Sequence, residues 1–236
     1  MKKPLILTLV FSVITVFTIS SAVFAAPPKN TALAQTLMSL KLIAGTNRGL
    51  ELDKVFTRAQ GTVIVIKLLG MEKKAQEQKL NSTFTDVNNH WAAKYITFAY
   101  NNGIVHGTGN KQFSPERQMT GKELIALILR GLGYKETSPE TAKSTAVKIG
   151  LFSENEADEL TQKKVFLRDD MIFVVYKALT ATLEGSTKTL LQTLVESNVV
   201  PKDSALASDL YSEIPQQPQD AMDAIEDAIR KKLHKS

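Results

Sequence analysis

The side chains that most often perform catalysis are few in this 236-residue chain, and they do not cluster. It has three histidines, His90, His106 and His234, and no cysteine. The first two lack acidic partners at metal-ligand spacing. The segment Gly107-Thr108-Gly109 has neither the preceding strand nor the lysine–threonine pair of a phosphate loop. The carboxylates that stand out by position are typical of turns and helix caps: Asp53, Asp86, Asp169 and Asp170. The sequence therefore predicts a binding protein that is not an enzyme and holds neither a cofactor nor a metal.

The elements that position these residues are clearest in residues 84–134. Apolar residues at helical spacing predict an amphipathic helix over residues 91–102, and Gly103 supplies the left-handed end that glycine favours. Residues 104–118 contain Gly107 and Pro115 and are predicted to be a loop. Thr120 and Glu123 then have the spacing of a capping box. A second, strongly apolar helix is predicted over residues 124–132.

Parts of this unit recur on both sides of it. Thr57 and Gln60 form a second capping-box pattern, and residues 56–70, which contain it, align with 119–133. Read alone, the β-branched run at 62–66 favours a strand, but the alignment favours a helix. A third copy spans 166–179, where Leu167 replaces the capping threonine. A further half-copy covers residues 187–200.

Ten residues of the central unit occur in the order found in the S-layer homology (SLH) repeat, which it resembles: Phe84, Asp86, His90, Trp91, Ala92, Gly103, Ile104, Gly107, Phe113 and Pro115. The resemblance implies three tandem repeats. We place the first at residues 30–82, the second at 83–136 and the third, with the closing half-copy, at 140–211. The first and third lack the F-x-D and HWA strings and are degenerate.

The expected fold is mainly α. Each repeat has a second helix that is apolar on nearly every face. These three helices are predicted to form a central three-helix bundle. The family implies helix–loop–helix lobes around that bundle, arranged as a pseudo-threefold trimer. Thr57, Gln60, Thr120 and Glu123 are assigned to helix capping. The other structural assignments are Asp86, Gly103, Gly107 and Pro115.

The resemblance also implies a ligand, which is the acidic, commonly pyruvylated, sugar of a secondary cell-wall polymer. The family's arginine after the capping threonine corresponds to Arg58 and Arg168, and a guanidinium fork suits a carboxylate. The second repeat has Gly121 there, with Lys122 next to it as a substitute point charge. Trp91 could form a wall of the sugar site or anchor its helix in the core. Arg58 could equally be a solvated residue of an exposed first turn.

The two ends of the chain carry different signals. Residues 1–25 have the lysines, apolar stretch and small-residue end of a secretory signal peptide; an uncleaved membrane anchor is the alternative. Removing Lys2 and Lys3 with the peptide lowers the formal net charge from +5 to +3. This charge favours an acidic polymer and is too weak to indicate nucleic acid. No later segment is apolar enough to span a membrane.

Residues 212–219 are predicted to be a Pro/Gln linker. Residues 220–235 are predicted to form a helix with one narrow stripe of apolar side chains. This stripe either packs against the rest of the protein or binds a protein partner.

Two functions remain open at this point. In the first, an exported, non-catalytic protein of the cell wall or S-layer binds an acidic secondary polysaccharide through grooves between repeats. In the second, a structural or protein-interaction module has kept the fold and lost glycan binding. A secreted hydrolase on the same scaffold is the weakest alternative.

Overall fold

A computed structural model describes residues 28–45, 47–79 and 81–211. Within them the chain is mainly helical, as predicted. The ten α-helices of this part are α1 Thr31–Ser39, α2 Arg58–Leu68, α3 Glu72–Gln76, α4 Ala93–Asn101, α5 Gly121–Gly131, α6 Ala142–Lys148, α7 Glu154–Gln162, α8 Arg168–Ala178, α9 Leu190–Glu196 and α10 Lys202–Leu206. None of the helices in these residues is long and apolar enough to cross a bilayer.

Both predicted capping boxes start long helices. At α2, Gln60 N donates to the Thr57 hydroxyl at 3.3 Å, and Thr57 N donates to Gln60 Oε1 at 3.0 Å. At α5, Thr120 and Glu123 make the same reciprocal pair. Residues 62–66 are helical, so the choice of helix over strand is confirmed. At α8, Leu167 has no side-chain acceptor, but its amide still donates to Asp170 Oδ2 at 2.9 Å.

The three long second helices lie in the interior. Residues 124–130 of α5 are all buried, and α5 packs against both α2 and α8. A helix buried on every side needs apolar residues around its whole circumference, which explains the continuous apolar run. The pseudo-threefold trimer and the three repeats remain predictions.

Backbone hydrogen bonds join the start of one long helix to the loop before another. The amides of Arg58 and Ala59 donate to the carbonyls of Arg117 and Pro115 at 2.8 and 3.0 Å. In the same register, the amides of Arg168 and Asp169 donate to Lys54 and Leu52 at 2.8 and 3.0 Å. The predicted repeats therefore meet through two junctions of the same form.

The loop of the second predicted repeat is held by its motif residues. The Asp86 carboxylate accepts from the amides of Phe113 and Ser114 at 2.9 and 2.8 Å, so it links positions 27 and 28 residues apart and is not a local cap. Gly103 has φ +67° and ends α4, as predicted. At Gly107 a Cβ would lie 2.8 Å from the Gln112 carbonyl oxygen, so only glycine fits.

Three helices were not predicted: α3, α7 and α10. For α7 the signal was present, because Ser153 and Glu156 form a capping box, with Ser153 N donating to Glu156 Oε2 at 2.8 Å. The helix lies in the segment between α6 and α8. The helix is also polar overall, so its sequence lacks a clear apolar periodicity.

Two expectations about side chains are wrong. Arg58 is only 5% exposed, so it is not a solvated residue of the first turn. Trp91 is 61% exposed, so it does not anchor α4 in the core. Helix α4 is held instead by Ile96, Phe98 and Ala99, which are buried. The predicted signal peptide, linker and C-terminal helix lie outside the described residues.

Candidate functional site

Two grooves in the molecule are built from matching positions. Helix α5 follows α2 at an offset of 63 residues, and the loops before these helices match at the same offset. We call one cavity the Arg168 groove and the other the Arg58 groove. The Arg168 groove is lined by Ile43, Ala44, Gln60, Ile64, Lys67, Trp91 and Arg168, among others. The Arg58 groove is lined by the five residues at the 63-residue offset from the first five of these, His106, Gly107, Glu123, Leu127 and Arg130, together with Pro139 and Arg58.

The Arg168 groove has the size of a ligand site. Its volume is about 350 Å³, against about 150 Å³ for the Arg58 groove. Small-molecule sites usually fall in the range of about 300–1,000 Å³. Most of its lining residues are apolar, Leu42, Val63 and Met171 among them.

Arg168 begins α8 and is half-buried. Its Nη1 donates to the carbonyl of Leu50 at 3.5 Å, which is a long hydrogen bond. Within the described residues its guanidinium has no ion-pair partner. The second cation of the groove, Lys67, pairs at 3.1 Å with Glu72, which lies outside the lining. The groove therefore contains an unneutralised guanidinium and, among its described lining residues, no carboxylate.

Trp91 stands at the same groove with an exposed indole. His90 fixes the backbone beside it: Nδ1 accepts from the amide of Ala92 at 3.1 Å, and Nε2 lies 2.6 Å from Glu116 Oε1. The two rings are in contact, with centroids 5.4 Å apart. An exposed aromatic face next to a guanidinium suits a ligand with an apolar ring face and an acidic group.

In the Arg58 groove, the arginine that corresponds to Arg168 is already paired within the protein. Arg58 Nη1 pairs with Glu123 Oε1 at 2.9 Å, and Nε and Nη2 donate to the carbonyls of Phe113 and His106 at 3.0 and 3.1 Å. The guanidinium also lies over the Phe113 ring, 4.5 Å from its centroid. The charge that the resemblance assigned to a ligand is therefore bound to the protein's own carboxylate.

The burial of these charges shifts their pKa values. Burial lowers the pKa of Arg58, and the nearby Glu123 charge only partly offsets it. Burial lowers the pKa of Arg130 to about 10, and the Arg58 charge contributes. For Glu123, burial raises the pKa, but hydrogen bonds from Arg117 and Thr120 and the Arg58 charge outweigh it, so the net shift is downward.

In the second predicted repeat, helix α7 occupies the space beside Gly121, the position at which the family has arginine. A Cβ at Gly121 would lie 2.1 Å from the Leu160 carbonyl oxygen and 3.1 Å from the Phe166 ring. The neighbouring cavity is lined by two lysines and four carboxylates, Lys29, Lys163, Glu156, Glu159, Asp169 and Asp170. Lys163 pairs with Asp170 there. This cavity is the least suited of the three to an acidic ligand.

Of the four candidate binding residues, the structure brings Trp91 and Arg168 together. Arg58 lies in a separate, smaller groove, and Lys122 is exposed and lines none of the three cavities. Gln60 and Glu123, assigned only to capping, also line the grooves. Gln60 and Glu123 stand at matching positions 63 residues apart, and one is an amide whereas the other is an acid. This difference is visible in the sequence and could have distinguished the two grooves.

Residues 83–125 match the family model described as the S-layer homology domain. The similarity to the SLH domain is therefore found in this segment of the chain. The match covers the unit in which the resemblance was recognised, from the F-x-D string to the start of α5. The two flanking segments lie outside this match.

Three curated relatives to which the chain is similar have names that refer to the cell surface. A surface layer protein of Brevibacillus choshinensis is 35% identical over 115 residues, covering 47% of this chain and 10% of the relative. A middle cell wall protein of Brevibacillus brevis is 33% identical over 120 residues, covering 49% and 11%. A cell surface protein of Thermoanaerobacter kivui is 34% identical over 130 residues, covering 54% and 17%. The chain thus spans less than a fifth of the length of these relatives.

Proposed function

We propose that this protein is a non-catalytic anchor of the bacterial cell envelope, exported to the cell surface. The SLH domain and the surface-layer and cell-wall names of its relatives support that role. They also agree with the expected export. The finer proposal is that the ligand is an acidic, pyruvylated secondary cell-wall polysaccharide.

The observation that carries the finer proposal is the Arg168 groove. It combines an exposed indole, an unneutralised guanidinium and a mostly apolar lining in about 350 Å³. A pyruvyl ketal presents a carboxylate and a methyl group on a sugar ring. The guanidinium fork would bind the carboxylate, and the Trp91 face would cover the ring.

The proposal differs from the sequence expectation in its ranking of residues. Arg58 is held by Glu123 and two carbonyls, so it stabilises the junction between α2 and α5. We assign binding to Arg168 and Trp91. Lys122 has no part in this groove.

Co-sedimentation of the mature chain with isolated cell walls tests this function. Walls that retain their secondary polymers should bind the protein, and walls stripped of them should not. Arg168→Ala should lower the affinity roughly 10- to 100-fold, because a charge-assisted hydrogen bond contributes about 1.5–3 kcal/mol. Raising the salt concentration should weaken binding by the wild type.

Lys122→Ala is the matched control, because it removes an exposed cation outside the groove and should leave binding unchanged. Equal binding by Arg168→Ala and the wild type would contradict the groove assignment. A wild type that stays in the supernatant with every wall preparation would contradict the anchor itself. The second hypothesis, a module that has lost glycan binding, would then be favoured.

A further inference from the structure

The third helical residue of each long helix differs in chemistry between the two matching grooves. It is Gln60 in the Arg168 groove and Glu123 in the Arg58 groove, and both residues cap their helix in the same way. Both also line the groove next to the arginine of another predicted repeat. Capping alone therefore does not explain the difference, because either side chain performs it.

Each of the two side chains has one polar atom that the capping box does not use. In Glu123 this atom is a hydrogen-bond acceptor, and in Gln60 it is a donor. Glu123 uses Oε2 for Thr120 and presents Oε1 to Arg58 and Arg117. Gln60 uses Oε1 for the amide of Thr57. This fixes the orientation of its amide, so Nε2 is the remaining group. In the part of the chain that the structure describes, Nε2 has no hydrogen-bond acceptor.

The backbone places the two residues in the same relation to their arginines. The Arg168 amide bonds to Lys54 as the Arg58 amide bonds to Arg117. Across the second of these junctions, the arginine reaches the third residue of the facing helix, with Nη1 2.9 Å from Glu123 Oε1. Across the first, that facing residue is Gln60, which offers a donor where Glu123 offers an acceptor.

We propose that Gln60 is a specificity-determining residue that binds the acidic group of the ligand together with Arg168. This inference rests on the proposed function of the Arg168 groove. Nε2 of Gln60 donates to the carboxylate that the guanidinium holds, and two converging donors bind an anion more strongly than one. A glutamate at this position would take the place of that anion, as Glu123 does at Arg58.

The test is Gln60→Glu, measured by co-sedimentation with cell walls that retain their secondary polymers. Glutamate preserves the capping box, so the variant should fold, and its circular dichroism and melting temperature check this. The new carboxylate should pair with Arg168 and lower the affinity at least tenfold. Trp91, the single tryptophan of the chain, lines the groove and reports binding independently through its fluorescence.

Two control variants separate this effect from charge and from capping. Gln112→Glu makes the same charge change at an exposed residue outside the grooves and should bind as the wild type does. Glu123→Gln makes the reverse exchange in the Arg58 groove and should leave the affinity for walls unchanged, because that groove lacks the aromatic wall and the volume.

The possible outcomes distinguish the two proposals. If the wild type and Gln60→Glu bind equally, the role of Gln60 is wrong and the anchor function stands. If Gln112→Glu loses as much affinity as Gln60→Glu, the effect is one of net charge and the role of Gln60 is again wrong. If the wild type does not bind at all, the proposed function fails and the inference falls with it.

Discussion

At the scale of single residues, the most consequential finding is that equivalent arginines have different partners. Arg58 is buried against Glu123, whereas Arg168 is half-buried and, within the described residues, its guanidinium makes one long hydrogen bond, to the Leu50 carbonyl. In the sequence, both positions are arginine and cannot be told apart by residue type. The residue across the junction decides whether the guanidinium is a structural ion pair or is open to a ligand.

The Arg58–Glu123 pair predicts a pH dependence of stability. The pKa of Glu123 is lowered in the folded state from its usual 4.5. A carboxyl with a lowered folded-state pKa contributes stability above its unfolded pKa, and this is lost as the pH falls through the folded value. We therefore expect the free energy of unfolding to decrease below about pH 4.5, partly because of this residue.

Urea unfolding of the wild type and Glu123→Gln across this pH range checks the assignment. At pH 7 the variant should be about 1–3 kcal/mol less stable, because Arg58 loses its charged partner in a buried site. The difference should shrink as the pH falls below 4.5. A difference that stays constant with pH would contradict the pKa shift of Glu123.

At the scale of elements, α7 explains a substitution that the sequence left unexplained. The most recognisable unit has Gly121 where the family has arginine, and the Leu160 carbonyl of α7 lies where a Cβ would be. This helix thus replaces a groove by a backbone-to-backbone contact. With α7 in this position, residue 121 has no room for an arginine side chain.

Gly121→Ala is accordingly expected to be destabilising by about 1–3 kcal/mol, as is usual for overpacking. Gly131→Ala is the matched control at the other end of α5. Its new Cβ would meet the end of the Leu69 side chain, which can rotate away. Thermal unfolding should show a larger loss for Gly121→Ala, and equal effects would contradict close packing of α7 on α5.

At the scale of the whole molecule, the predicted repeats share one core and are joined by main-chain hydrogen bonds. The buried apolar residues form a single cluster from α1 to α10. The start of α2 depends on carbonyls at 115 and 117, and the start of α8 depends on carbonyls at 52 and 54. The matched SLH unit is therefore not an independent body in this chain.

This interdependence predicts that residues 28–211 unfold in one cooperative transition. An excised fragment of residues 83–136 should be largely unfolded, because α5 would lose the α2 and α8 surfaces that bury it. Circular dichroism of the two fragments checks this. A helical 83–136 fragment with its own cooperative melt would show that the unit folds without its neighbours.

The starts of α2 and α5, the mainly α class and the SLH unit could all be predicted from the sequence. Capping boxes and apolar runs are local signals, and the ten motif residues lie within about thirty positions of one another. The sequence also supplied the two arginines and Trp91 as candidates. Tertiary structure alone decided which of them meet, because the Arg168 groove joins side chains from residues 42 to 172, and their burial and pairing depend on contacts between distant segments.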